Sequence, residues 1–124
     1  MAVKKILVAD ADHDVRLYVE TTLRVPSWSY QIILKEDLLW LAVGLSEGWP
    51  DFIIVSGELV AQSIKAFVDN VRRGHPRLPI LIMVPKNHNY FGNFEMVYSI
   101  QKPFSPLELL EKLQEILTVS CANP

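Results

Sequence analysis

Cysteine is almost absent from this chain. Cys121 stands alone near the end, so an internal disulfide is excluded and the pattern suits a reducing compartment. It reads as an incidental tail residue rather than a reactive thiol. An excess of either charge is missing too: 12 Lys and Arg stand against 14 Asp and Glu, for a net charge of −2. Nucleic acid usually needs a concentrated basic face, and none is expected here. Arg72-Arg73, with Arg77 nearby, reads as a solvated helix end that complements the helix dipole. His13, His75 and His88 lie far apart without ligand spacing, which argues against zinc. There is no glycine-rich phosphate loop, since Gly57 alone follows a strand-like run. No long apolar segment follows Met1-Ala2-Val3-Lys4-Lys5, so neither a signal peptide nor a membrane span is expected, and a soluble cytoplasmic protein is.

What the chain does have is apolar material in short, well-bounded runs. Half of its 124 residues are apolar and 21% are charged, the composition of one globular domain, 1–124, able to bury a core. The most informative run is Pro50 to Gly57, PDFIIVSG. Phe52-Ile53-Ile54-Val55 follows a Pro-Asp entry and stops at Ser56-Gly57, which reads as a strand buried on both faces. Lys4–Ala9 and Leu78–Val84 are two more strands of this kind, while Ser29–Leu34 and Val97–Gln101 are shorter ones.

Between the strands the spacing turns helical. Val15, Val19 and Thr22/Leu23 predict a helix up to Pro26, capped by Asp12 or His13. Asp37–Ser46 predicts a second, capped by Asp37 and closed before Gly48. A third starts near Val60, with Ile64, Phe67, Val68 and Val71 on one face and Gly74 at its end. Asn87–Phe94 is polar and aromatic, at best a short helix. The last helix is announced twice, by the capping box Ser105/Glu108 and by Pro106 at the first helical position, with Leu107, Leu110, Leu113/Gln114 and Leu117 as its inner face. Strand and helix thus alternate five times, in units of about 20 to 25 residues, which predicts a parallel sheet covered on both sides: a three-layer, doubly wound α/β domain of five strands.

In such a sheet, functional sites lie outside the carboxyl ends of the strands. That edge would carry Asp10-Ala11-Asp12, Ser56-Gly57, Val84-Pro85 and Gln101-Lys102-Pro103. With these pieces in order (ILVADADHDVR, PDFIIVSGEL, LPILIMVP and IQKPFSPLELLEKL) the chain resembles the receiver domain of bacterial response regulators over essentially its whole length. Only the stretch between Val84 and Lys102 looks a few residues short.

The resemblance implies a flavodoxin-like fold and a specific chemistry. Receivers of this kind hold Mg²⁺ with an acidic pair after strand one and an aspartate at the tip of strand three, which takes up the phosphoryl group. A lysine after strand five pairs with the phosphoryl oxygens, and a Ser/Thr hydroxyl after strand four moves toward them. Mapped onto this chain, Asp10 matches the first acid, but Ala11 replaces the second. Ser56 falls at the phosphoacceptor position and Val84 at the Ser/Thr position. Lys102, followed by Pro103-Phe104, is retained, and the residue three before it is Ser99, beside Tyr98.

Mg²⁺ needs anionic oxygens, usually from at least two carboxylates. A serine hydroxyl without a base is a poor nucleophile, and no histidine is placed to act as one. Three parts of one mechanism are missing together, which argues that phosphorylation has been abandoned. Neither a metal nor a cofactor is therefore expected, and no residue is expected to be catalytic. Asp10, Asp12 and Asp14 read as loop and helix-capping acids rather than a residual metal site. Ser56 reads as a neutral filler bonded locally or to Lys102, and Lys102 as the partner of Asp10. In similar receivers the Lys-Pro bond is cis.

Two surfaces are candidates for partner binding. If Leu38, Leu41, Ala42 and Leu45 face the sheet, then Leu39, Trp40 and Val43 form an outer apolar stripe; alternatively Trp40 folds over Trp49 or Trp28. The other surface combines the last strand and helix with Tyr90, Phe91, Phe94 and Tyr98. The function expected is that of an atypical receiver in bacterial two-component or phosphorelay signalling. It would work by protein–protein interaction, without nucleic acid or membrane, and with homodimerisation open. The alternatives are a receiver that keeps a weak Mg²⁺ or phosphate response, and a small flavodoxin-like enzyme or nucleotide binder.

Overall fold

The computed structural model describes residues 5–25, 29–86 and 94–122. Its elements run β1 (Lys5–Ala9), α1 (His13–Arg24), β2 (Gln31–Lys35), α2 (Trp40–Val43), β3 (Phe52–Ser56), α3 (Ile64–Gly74), β4 (Ile80–Val84), β5 (Val97–Gln101) and α4 (Pro106–Ala122). The five strands form one parallel sheet in the order β2-β1-β3-β4-β5. The winding direction reverses between β1 and β3, which are paired with Ala9 opposite Val55. This is the flavodoxin-like, doubly wound fold expected from the alternation of strands and helices.

The unbroken apolar runs are explained by two cores, one on each side of the sheet. Side chains alternate along a strand, so neighbours in sequence enter different layers. Leu7, Ala9, Ile53, Val55, Ile80 and Ile82 face α3 through Phe67, Val68 and Val71. Ile6, Val8, Phe52, Ile54, Leu81 and Met83 face α1 and α4 through Val19, Leu23, Leu109, Leu113 and Ile116. Each of these Val, Leu, Ile, Phe and Met side chains removed from water contributes roughly 1.5–3 kcal/mol. The Pro-Asp entry also has a structural role: the Asp51 carboxylate accepts the Lys5 N–H at 3.0 Å, and the Asp51 N–H donates to Lys5 O at 2.9 Å. That exchange pins the register at the start of β1 and β3.

The helices depart from expectation where side-chain pattern alone was a poor guide. α1 does not: it begins at His13 behind Asp12, one of the two expected caps, which accepts the Asp14 N–H at 2.8 Å. α3 begins at Ile64, not near Val60, because the Ser63 hydroxyl caps it through the Ala66 N–H at 3.0 Å. Val60 is buried in the preceding turn. The predicted Asp37–Ser46 helix shrinks to the four residues of α2. Asp37 does accept the Leu39 N–H at 3.0 Å, but the chain then makes tight bonds from Leu41 N to Leu38 O and from Ala42 N to Leu39 O. Gly44, at φ +85°, ends the helix in a conformation that glycine alone adopts readily.

In α4 the capping box forms as predicted: Ser105 N–H donates to Glu108 Oε1 and Glu108 N–H to Ser105 Oγ, both at 3.1 Å. Its inner stripe, however, is Leu109, Leu113 and Ile116. Leu107 is 65% exposed, while Leu117 only flanks the core. Phe104, just upstream, is buried in the same core as that stripe. The Asn87–Phe94 segment lies outside the described residues except for Phe94. Four helices are therefore described, and none is long and apolar enough to cross a membrane.

Arg72 corrects another expectation. It is half-buried rather than solvated. Its guanidinium donates to the carbonyls of His75 (3.2 Å), Leu78 (2.6 Å), Glu95 (2.9 Å) and Met96 (3.4 Å). Burial pushes its pKa below the ordinary arginine value, against the opposing pull of Glu95 and Tyr98. Met96, at φ +60°, is the turn residue that Arg72 helps to hold before β5.

Candidate functional site

Parallel strands bring Asp10, Ser56, Val84 and Lys102 to one edge of the sheet. Asp10 follows β1 directly and is only 3% exposed. Its N–H donates to Lys35 O at 3.0 Å, which fixes the backbone beside the end of β2. One carboxylate oxygen, Oδ1, accepts the Asp12 N–H at 2.9 Å. The other, Oδ2, accepts from Lys102 Nζ at 2.8 Å. Lys102 leaves β5 with its N–H donating to Val84 O at 2.8 Å, and the bond to Pro103 is cis. The pair expected between Asp10 and Lys102 is therefore present, and it is largely buried.

Ser56 ends β3 and is 1% exposed. Its hydroxyl oxygen accepts the Glu58 N–H at 3.2 Å, the local bond expected of it rather than one to Lys102. Gly57 permits the next turn. A Cβ there would come within 3.0 Å of Pro85 Cδ and 3.1 Å of Met83 O, while the Gly57 N–H donates to Met83 O at 2.8 Å. Val84 is buried and presents methyl groups where the resemblance would place a hydroxyl. Ala11 is exposed and brings no ligand. Asp12 and Asp14 belong to the start of α1, one as cap and one in the first turn.

Two residues of this edge were missed in the sequence. Arg16 Nη1 donates to Asp10 O at 2.6 Å, placing a second cation beside the first acid. Glu58 Oε1 lies 3.9 Å from Lys102 Nζ on an exposed side chain. Glu58 could have been suspected from its place two residues after the strand tip. Arg16 gave no signal, because a basic residue in a helix usually faces water.

The Mg²⁺ that the resemblance implies does not fit these residues. Both oxygens of Asp10 already accept hydrogen bonds, one of them from an ammonium. Ala11 and Ser56 supply no carboxylate to complete a pair. Among the described residues no three His, Cys, Asp or Glu side chains are grouped to hold a metal ion. The arrangement can neutralise one buried carboxylate with one lysine. It offers no second anionic ligand for a hard cation.

The proposed outer stripe on α2 splits. Leu39 is 64% and Val43 80% exposed, but Trp40 is only 3% exposed. Its indole packs edge-on against Trp49 and Phe67, with centroids 5.8 and 6.4 Å away, so Trp40 belongs to the core and not to a surface. Bulk decides this, since the largest side chain of the short helix fills the space between α2 and α3. Its Nε1 has no hydrogen-bond partner among the described residues. Phe94 and Tyr98 are partly buried against opposite cores, whereas Tyr90 and Phe91 lie outside the described residues.

No protein-family model matches the chain, and no curated protein does. Solved structures do. The signal receiver domain of an HD domain-containing protein from Pseudomonas fluorescens superposes with a TM-score of 0.77 at 15% identity, covering 98% of this chain and 92% of that one. A response regulator receiver protein from Sinorhizobium medicae gives 0.73 at 16% identity, with 95% and 97% covered. The chemotaxis protein CheY4 of Vibrio cholerae gives 0.71 at 24% identity, with 93% and 99% covered. What these proteins share with the chain is the receiver fold, from one end of the sheet to the other.

Proposed function

We propose that this chain is an atypical receiver domain of a bacterial two-component or phosphorelay system, cytoplasmic and non-enzymatic, that acts by protein–protein interaction without aspartyl phosphorylation. The observation that carries this reading is the tip of β3. Ser56 occupies the position of the nucleophile, yet its hydroxyl is buried and engaged by the Glu58 N–H, with Asp10 already neutralised by Lys102. A phosphoryl group arriving there would meet neither a carboxylate nucleophile nor a metal, and the Val84 methyl groups could not bond to it. The scaffold is retained while the transfer chemistry is gone. What a receiver scaffold still offers is surface for protein partners, and Leu39 and Val43 on α2 are the exposed apolar side chains for that role.

The test is titration with Mg²⁺ and beryllofluoride, a phosphoryl mimic, followed by NMR. The expected outcome is no saturable shift at Asp10, Ser56 or Lys102. A saturable shift at these residues overturns the reading in favour of a domain that still answers to phosphate.

A further inference from the structure

We infer that the Lys102 ammonium is a resident counter-ion that permanently takes the place of a divalent cation at this site, so that the fold depends on the pair and is indifferent to metals. The inference rests on treating this strand edge as that of a receiver, and it specifies what became of the site's charge balance.

The geometry leads there in three steps. Asp10 is buried at the tip of β1, where an unneutralised carboxylate would be costly to desolvate. Lys102 Nζ meets it at 2.8 Å, and both Asp10 oxygens are thereby satisfied once the Asp12 N–H is counted. The backbone from which the lysine side chain starts is held in place: its own N–H is bonded to Val84 O at 2.8 Å, and it leads into Pro103 and the buried Phe104. Phe104 is in turn clasped by Tyr18 of α1, whose ring stacks at 5.8 Å and whose hydroxyl donates to Phe104 O at 2.7 Å. The pair thus joins the start of α1 to the turn that launches α4.

Arg16 reinforces the choice. Its guanidinium donates to the Asp10 backbone carbonyl at 2.6 Å, which adds a second positive charge beside this carboxylate. Glu58, 3.9 Å from Lys102 on the solvent side, partly balances the excess without adding a ligand to Asp10.

The experiment uses the whole chain in two arms. In the first, thermal unfolding is followed with and without millimolar Mg²⁺ or Mn²⁺, and the wild-type midpoint is expected not to move. In the second, Asp10→Asn, Lys102→Met and the double variant are compared. Each single change leaves a buried charge or its neutral partner unmatched and should lower the midpoint by about 10 °C or more, whereas the double variant should lose distinctly less than the sum. Lys102→Arg, which keeps a cation, should lose less than Lys102→Met. A rise of the wild-type midpoint with metal overturns the inference. So does additivity of the single losses, including failure of the double variant to fold. Additive losses count against this inference and leave the proposed function standing, whereas phosphoryl uptake with coupled losses and a midpoint unmoved by metal counts against the proposed function alone, so the two can fail separately.

Discussion

Two cations are drawn into the molecule at opposite ends of one sheet, and they are held in different ways. At the carboxyl ends of the strands, Lys102 gives its charge to one carboxylate, Asp10, at 2.8 Å. At the amino ends of β4 and β5, Arg72 spreads its donors over the four carbonyls of His75, Leu78, Glu95 and Met96. The first arrangement couples two charges, each of which makes the other tolerable in a buried place. The second couples one charge to neutral dipoles, which suits a planar fork with five N–H donors and would suit a lysine poorly. The Lys102 end joins opposite charges at the carboxyl tips of the strands, beside the reversal of winding. The Arg72 end is joinery, fastening two loops beneath the sheet.

The comparison can be broken at several points. The largest effect is expected from Lys102→Met, which strands a buried carboxylate and should cost about 3–5 kcal/mol of unfolding free energy in urea titrations. Arg72→Met should cost less, about 2–3 kcal/mol, because it orphans carbonyls that water can reach in part. Arg72→Lys should recover only a fraction of that loss, since an ammonium cannot match the four directions. Equal losses for Arg72→Met and Arg72→Lys would show that charge, not fork geometry, matters there. Ser56→Ala removes only the acceptor of the Glu58 N–H and should cost about 1 kcal/mol. A loss as large as that of Lys102→Met would mean that Ser56 belongs to the charge network after all.

The smallest effect is expected at a partly exposed ion pair, which serves as the control. Glu47 lies 3.9 Å from Lys35 Nζ. Its carboxylate is held below its ordinary value of 4.5, chiefly by a hydrogen bond from its own backbone amide and then by Lys35, against a partial loss of hydration. A group whose folded pKa is depressed adds stability above its unfolded value, and that stability is lost as pH falls through the folded value. Glu47→Gln should therefore lower the urea midpoint only slightly at neutral pH, and the gap from wild type should close as pH falls below about 4.5. A clear loss at neutral pH would show the surface pair to be more than a screened contact.

Much of the fold was legible because its signals are local. FIIV and ILIMV had to be two-sided strands, since only burial on both faces accommodates such runs, and Ser105/Glu108 with Pro106 marked the start of α4 to the residue. The site was legible through its positions: Asp10, Ser56, Val84 and Lys102 could be assigned to one edge once the strands were known to be parallel. What could not be read was any choice made by packing. Leu39, Trp40 and Val43 lie in a segment that is apolar all round, so its periodicity named no inner face until the bulk of Trp40 claimed the core. Arg72 and Arg16 carry nothing in their surroundings that separates a solvated cation from one bonded to carbonyls.

The sequence by itself determined the order of strands and helices, the cap Ser105, and the lack of a carboxylate at positions 11 and 56. Those depend on residue type and on spacing over a few positions. The tertiary structure alone decided that Arg72 reaches the carbonyls of Glu95 and Met96, and that Ser56, expected to bond locally or to Lys102, takes the local bond from the Glu58 N–H. The reason is physical. A hydrogen bond or ion pair between distant residues is set by where the sheet brings two backbones, and no local preference of either side chain encodes that meeting.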